Sequence, residues 1–268
     1  MINLDYELHE LPFPHIIIRN VIKDKYVHEF LRHNTEITEY MANMRNLERF
    51  QVFLNRGTES RWNIKLPSEN FTDEFNRVTR DFLTTFKYHS GINELFKELF
   101  VPYYEKEFID FDDQLRPKKL DISYGAYNAC TEAKNIIGWH LDRGNKLIAG
   151  FIYLREKDDT VDDGHLQISS GPDSFIKEIP YEDNVLVAWP NLTNAWHRAT
   201  VRYPTKHLRR IVNFIQETDK DRFYHDYETD KHDKNDKSSR SIHELHSIKM
   251  FGFKEVHLNE REESKTTT

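Results

Sequence analysis

The sequence predicts an α+β chain whose main body is β, and three observations lead there. Aromatic residues recur at helical spacing only in the first 118 positions. Short β-rich runs divided by turn residues fill the stretch from 119 to 217. The composition, 38% hydrophobic and 31% charged over 268 residues, is that of a globular chain able to bury a sizeable core, as one large domain or two small ones. Helices first and strands after place a β-sandwich or barrel at the centre.

The elements follow in order. "LPFPHIIIRNVI" (11–22) reads as a short strand entered through prolines. "KDKYVHEFLRHN" then sets Tyr26, Phe30 and Leu31 at helical spacing. Residues 35–65 show no decisive period. "FTDEFNRVTRDFLTTFKYH" puts Phe71, Phe75, Val78, Phe82 and Phe86 on one helix face, with Thr72 or Asp73 near its start. "GINELFKELFVPYYEKEF" is a second helix, disturbed by Pro102. Core packing accounts for these aromatics. The strands are "KLDISYGAYNA", "KLIAGFIYLRE", "GHLQIS", "NVLVAWP", "WHRATV" and "LRRIVNFIQE".

After Glu217 the chain is dense in charge and poor in aliphatics, the pattern of a solvated linker. "SIHELHSIKMFGFKEVHL" (241–258) regains some pattern, as a short docked helix and strand. His243 and His246 fall at i and i+3 of that helix. The pair lacks the HExxH of zinc proteases and reads as a solvated face. The expected division is one domain over 1–218, with a helical part to 118 and a β core from 119, then a charged extension over 219–268.

Charge and cysteine exclude several classes. A net charge of -7 argues against a sequence-independent nucleic-acid binder, which needs a basic surface. Cys130 is the one cysteine, so there is no intrachain disulfide and no thiolate metal cluster. The acidic start "MINLDYELHELPFPH" lacks the order of a secretory signal. No apolar run approaches the ~20 residues of a membrane span. The expectation is a cytoplasmic protein without nucleic-acid or membrane partners; its oligomeric state is not encoded legibly.

"GWHLDRGNKLIAGFIYL" (138–154) sets His140 and Asp142 two positions apart before a buried strand. In an extended chain both side chains share a face. Among 14 histidines such a triplet arises by chance, so the surroundings must decide. Far downstream, "NVLVAWPNLTNAWHRATV" ends a buried strand, turns, and brings in His197 at the start of the next. Arg209 then opens "RRIVNFI". Two imidazoles and one carboxylate can cap one face of a metal and leave three positions open, the arrangement of non-haem Fe(II) oxygenases. A guanidinium fork inside the barrel suits the second carboxylate of a chelating dicarboxylate. Alternation puts Arg209, Ile211 and Asn213 on one face and Arg210, Val212 and Phe214 on the other, without saying which face is inward.

The stretch from about 119 to 216 resembles the core of the Fe(II)/2-oxoglutarate-dependent dioxygenases, in the prolyl hydroxylase-like branch. The resemblance lies in "LPFPHIIIRNVIKDKYVHEFL", Tyr127 with "GWHLD", "KLIAGFIYL", "DGHLQI", "NVLVAW…AWHRATV" and "RRIVNFI". It implies a double-stranded β-helix of jelly-roll or cupin type, braced by the N-terminal helices. It implies His140, Asp142 and His197 as iron ligands. Arg209 matches the arginine on the distal carboxylate of 2-oxoglutarate, Tyr153 a tyrosine on the same carboxylate, and Tyr127 a tyrosine near the co-substrate, with Asn213 beside them. The implied cofactors are Fe(II), 2-oxoglutarate and O2, with ascorbate in support. The implied reaction hydroxylates an unactivated C–H bond of a small molecule or of a peptide or protein side chain, such as prolyl, releasing succinate and CO2. Asp163 stands where the family has the first glycine of a pair, and Ile211 where it has a small hydroxyl residue. Asp142 fills the position that related halogenases vacate, which favours hydroxylation.

Two other classes use the same residues. A zinc hydrolase could hold a water on the triad but gives Arg209 no task. The other is a metal-free or zinc-binding cupin-like binding or scaffold protein, and the intact triad speaks against the metal-free form. The nucleic-acid demethylase branch carries a second arginine at the position of Ile215.

Overall fold

Alternation in the β-rich stretch becomes two facing sheets. The computed structural model describes residues 2–43, 49–54, 63–107, 119–127, 134–171, 174–218, 223–227, 245–250 and 256–257. In chain order the elements are β1 (Glu7–His9), β2 (His15–Arg19), α1 (Lys25–His33), α2 (Thr35–Asn43), β3 (Arg49–Phe53), β4 (Asn63–Lys65), α3 (Asp73–His89) and α4 (Ile92–Glu107). There follow β5 (Lys119–Tyr127), β6 (Lys134–His140), β7 (Lys146–Leu154), β8 (Leu166–Ser169), β9 (Ile176–Ile179), β10 (Val185–Pro190), β11 (Trp196–Arg202) and β12 (Arg209–Glu217). Last come β13 (Phe223–Tyr227), β14 (Leu245–Met250) and β15 (Val256–His257).

The larger sheet has eight strands in the order β1-β2-β10-β7-β12-β5-β3-β4, and the smaller has four, β6-β11-β8-β9. From β5 onward the chain passes between them: β5, β7, β10 and β12 lie in the large sheet, and β6, β8, β9 and β11 in the small one. All pairs among these eight strands are antiparallel. That path is a double-stranded β-helix.

Helices cover the outer face of the large sheet. Asp24 caps α1 by accepting from Val27 N, and Thr72 caps α3 by accepting from Phe75 N. The face of α3 that carries Phe75, Val78, Phe82 and Phe86 is buried, as its spacing predicts. Phe86 and Phe96 of α4 each lie 5.5 Å, ring to ring, from Phe214 on β12. Gly150 on β7 makes room for that ring, since a Cβ there would stand 2.3 Å from Phe214 Cζ. The predicted disturbance at Pro102 does not end α4, which continues to Glu107. Pro102 and Glu98 are both exposed, so the carbonyl that loses its partner faces water.

Two further expectations change. Residues 35–65, which showed no decisive period, hold α2 and the parallel pair β3–β4. In the charged tail, Phe223–Tyr227 is a strand, paired with β14 in a three-stranded sheet with β15. The helix expected over "HELH" is therefore a strand at His246, while His243 lies outside the described residues. No helix among the described residues is long and apolar enough to cross a membrane.

Candidate metal centre

Strand register builds the site in rungs across the large sheet. Directly opposed residues share a face. One rung runs Val187–Phe151–Asn213–Ser123, and the next Val185–Tyr153–Ile211–Gly125. Trp189, two residues past Val187, packs its ring 4.8 Å from that of His197 on the small sheet. The face bearing these rungs therefore points between the sheets. One pleat repeat, about 7 Å, separates the Phe151 rung from the Tyr153 rung.

His140 ends β6 and His197 is the second residue of β11, and the two are register partners. Their ring centroids lie 4.1 Å apart. His197 Nδ1 donates to the Ala195 carbonyl at 3.0 Å, which fixes the tautomer and presents Nε2 to the site. That Nε2 lies 3.8 Å from Asp142 Oδ2. One ligand atom from each of His140, Asp142 and His197 falls within 4.8 Å of the others, a grouping that could hold a metal ion. Burial, with the neighbouring His140 ring, lowers the His197 pKa to about 3, so the imidazole stays neutral and able to donate. Burial pushes Asp142 the other way, toward protonation. Lys146, His197 and His140 more than offset it and hold the carboxyl below its usual range. The donor set, two imidazole nitrogens and one carboxylate oxygen, suits a divalent transition metal.

Two residues of this assembly were not legible from sequence. Lys146 Nζ donates to Asp142 Oδ1 at 2.5 Å and leaves Oδ2 toward the histidines. Asn191 Nδ2 donates to the carbonyls of Arg143 (2.8 Å) and Lys146 (3.0 Å), and its backbone N donates to Leu147 O at 2.7 Å. It braces the turn that carries Asp142. An asparagine after Trp-Pro gives no sequence signal for this, because its partners lie about 45 residues upstream.

The two arginines part as alternation requires. Arg209 lies between the sheets, 3% exposed, with Nε donating to Gly164 O at 3.1 Å. Its Cζ stands 5.2 Å from the Tyr153 ring centroid and 5.3 Å from that of Tyr181. Gly164 turns with φ +66°, a conformation that favours glycine. Arg210 points to the helices. It donates to Glu156 Oε1 (3.2 Å), the Tyr124 hydroxyl (3.4 Å) and Thr38 Oγ1 (2.8 Å).

The remaining sequence candidates are spread along the same face. Tyr153 is fully buried beneath Arg209. Ile211 is its rung partner. Asn213 lines a pocket with Ser123, Asp121 and Glu217, one rung from Tyr153. Tyr127 ends β5 across from Arg209, and its side chain lies outside the described set. A second grouping, Glu156, Asp158 and His207, also meets metal-ligand spacing. Glu156 there accepts from His207 Nδ1 at 2.6 Å and from Arg210, which makes it an ion-pair network joining the 155–164 loop to β12.

No protein-family model matches the chain, and no curated protein matches it. Solved structures similar to it include a prolyl-4-hydroxylase of Pseudomonas putida, with TM-score 0.43, 12% identity, and 76% of this chain and 92% of that one covered. A full-length Neurospora crassa protein in complex with alpha-KG gives 0.46 and 12%, covering 91% and 82%. A prolyl hydroxylase from Trichoplax adhaerens, in complex with a hypoxia inducible factor peptide fragment, gives 0.41 and 13%, covering 76% and 83%. Its structural neighbours thus include prolyl hydroxylases. At these scores and identities the likeness bears on neither activity nor substrate.

Proposed function

We propose that the protein is an Fe(II)- and 2-oxoglutarate-dependent dioxygenase acting as a hydroxylase. The observation that supports this reading is a three-donor cluster, His140, Asp142 and His197, sharing one interior with a buried inward arginine, Arg209. The triad alone serves a zinc hydrolase or a metal-binding scaffold equally well. Arg209 tips the balance, because an inward guanidinium fork matches a carboxylate.

When bound, Fe(II) and 2-oxoglutarate supply oxidative decarboxylation to succinate and CO2, with one atom of O2 entering a substrate C–H bond. The chain's own part is to hold and orient. His140 Nε2 or Nδ1, His197 Nε2 and Asp142 Oδ2 ligate. Lys146 keeps Asp142 ionised and turned toward the histidines. Arg209, over the Tyr153 ring, takes the distal carboxylate. Trp189 and Phe151 keep water from the space between. Asn213 and Tyr127 belong to the surroundings of the co-substrate. Residues 1–218 form the catalytic domain, and 219–268 an extension without a catalytic group. The substrate class is a small molecule or a peptide or protein side chain.

Release of succinate from 2-oxoglutarate, assayed with Fe(II), O2 and ascorbate against a panel of amino acids and prolyl peptides, tests the reading. Succinate formation that requires Fe(II) and rises with one substrate is the expected result. Hydrolytic activity with Zn(II) and no use of 2-oxoglutarate would replace it.

A further inference from the structure

We infer that Tyr181 is the positioning residue that fixes the Arg209 guanidinium for a distal carboxylate. The inference rests on the reading of Arg209 above and adds a residue that carries no signal of its own in the sequence.

Tyr181 sits between β9 and β10 and is fully buried. It is held at three points. Its backbone N donates to His165 Nδ1 at 3.0 Å, and its carbonyl accepts from Arg155 Nη1 at 3.1 Å. Its hydroxyl accepts from Arg210 N at 3.0 Å and lies 3.3 Å from Leu154 O. Leu154 and Arg210 are register partners at the point where β7 ends and β12 begins. The hydroxyl therefore ties off the ladder one residue from Arg209.

The ring does a separate job. It stands at 83° to the Tyr153 ring, with centroids 5.2 Å apart. The Arg209 Cζ is 5.2 and 5.3 Å from the two centroids, so the guanidinium lies in the corner of two perpendicular aromatic faces. Each face attracts the cation and blocks rotation of the side chain. Nε is already committed to Gly164 O. A fork held in this way loses little rotamer entropy when it meets a carboxylate.

A positioning role differs from a merely structural one in which ligands it affects. Disturbed guanidinium placement weakens acids with a second carboxylate. A general defect of the site weakens every 2-oxo acid alike. The probe is therefore a pair, 2-oxoglutarate and 2-oxobutyrate, which share the 2-oxo acid head and differ in the distal carboxylate. Equilibrium binding of each to the Mn(II)-loaded full chain is measured for the wild type, Tyr181→Leu, Tyr181→Phe and Arg209→Ala.

Tyr181→Leu should weaken 2-oxoglutarate by about tenfold, the scale of one desolvated cation–π face, and leave 2-oxobutyrate within about twofold. Tyr181→Phe, which keeps the ring, should restore most of the preference. If the leucine variant is insoluble, Tyr181→Met fills the space without an aromatic face and carries the same test. Equal loss on both acids, or no loss on 2-oxoglutarate, overturns the inference. Arg209→Ala separates the two layers. If it leaves the preference for 2-oxoglutarate intact, the assignment of Arg209 itself fails. If it abolishes the preference while Tyr181→Leu does not, Tyr181 alone is wrongly assigned.

Discussion

Asp142 sits where burial favours the neutral acid, and the ammonium of Lys146 beside it keeps the carboxylate ionised. With His197 held neutral by burial, these two donors are in the protonation state a metal needs at neutral pH. His140→Ala or His197→Ala should each abolish Fe(II) retention through dialysis, measured as metal content, and succinate formation with it. Full occupancy in either variant would remove that residue from the ligand set. The arginines should separate by readout. Arg209→Ala should weaken 2-oxoglutarate by about 2–5 kcal/mol, as removal of a buried charge partner does. Arg210→Ala should leave the 2-oxoglutarate affinity close to wild type and lower stability in urea by about 3 kcal/mol, because Glu156 loses a guanidinium partner. At this scale the grouping of His140, Asp142 and His197 was legible, since donor residue types and their order are written in the sequence, whereas alternation left open which of Arg209 and Arg210 faces inward. Lys146, Asn191 and Tyr181 were not legible. Asn191 and Tyr181 act through contacts to backbone atoms or rings distant in sequence, which no local pattern encodes, and Lys146 meets the nearby Asp142 only across a turn whose shape residue types do not set.

Among the elements, α3 was legible because Phe75, Val78, Phe82 and Phe86 repeat at the period of the face they bury. Strands β7, β10 and β12 were legible as apolar runs buried on both faces. The pair β3–β4 was not, because the short strand "NIK" alternates too briefly to show a period. Where β7 meets β12, packing is tight enough to test directly. Gly150→Ala should destabilise the chain by about 2 kcal/mol or more, read from the urea midpoint, since its Cβ would meet both the Phe214 ring and, at 2.6 Å, the Val187 carbonyl.

The strand β2 carries a pH-sensitive contact. His15 Nδ1 donates to Phe13 O, so its Nε2 accepts from Lys177 Nζ at 3.0 Å, and His9 stacks on its ring. Burial, with the Lys177 and His9 charges, lowers its pKa from 6.5 to about 4. The unfolded chain then binds this proton before the folded one does. Stability is therefore full above the unfolded pKa and falls as pH drops from 6.5 toward 4, by about 3 kcal/mol in all. In His15→Gln that loss between pH 7 and 4.5 should shrink, as followed by urea unfolding at the two pH values. An unchanged loss would assign the acid sensitivity to other groups.

For the whole molecule, the adjacent strands β6 and β11 of the small sheet bring His140 and His197 into register from segments far apart in sequence, and Arg209 reaches between the sheets from the large one. Among the residues whose burial is described, the core cluster runs from Phe13 to Phe214, and on the proposed division of the chain truncation after Lys220 should leave metal and 2-oxoglutarate binding intact. A folded truncate that has lost the metal would place a ligand in the extension. The proposed function requires one interior to hold a metal on the triad and a dicarboxylate on that metal and Arg209. Anaerobic calorimetric titration of 2-oxoglutarate into the wild type, with and without one equivalent of Fe(II), tests it most directly, with Asp142→Ala as the control. Binding at one site per chain that requires Fe(II) and disappears in Asp142→Ala is the result expected here. Binding of 2-oxoglutarate that is the same without metal, or no binding by the Fe(II)-loaded wild type, would contradict it.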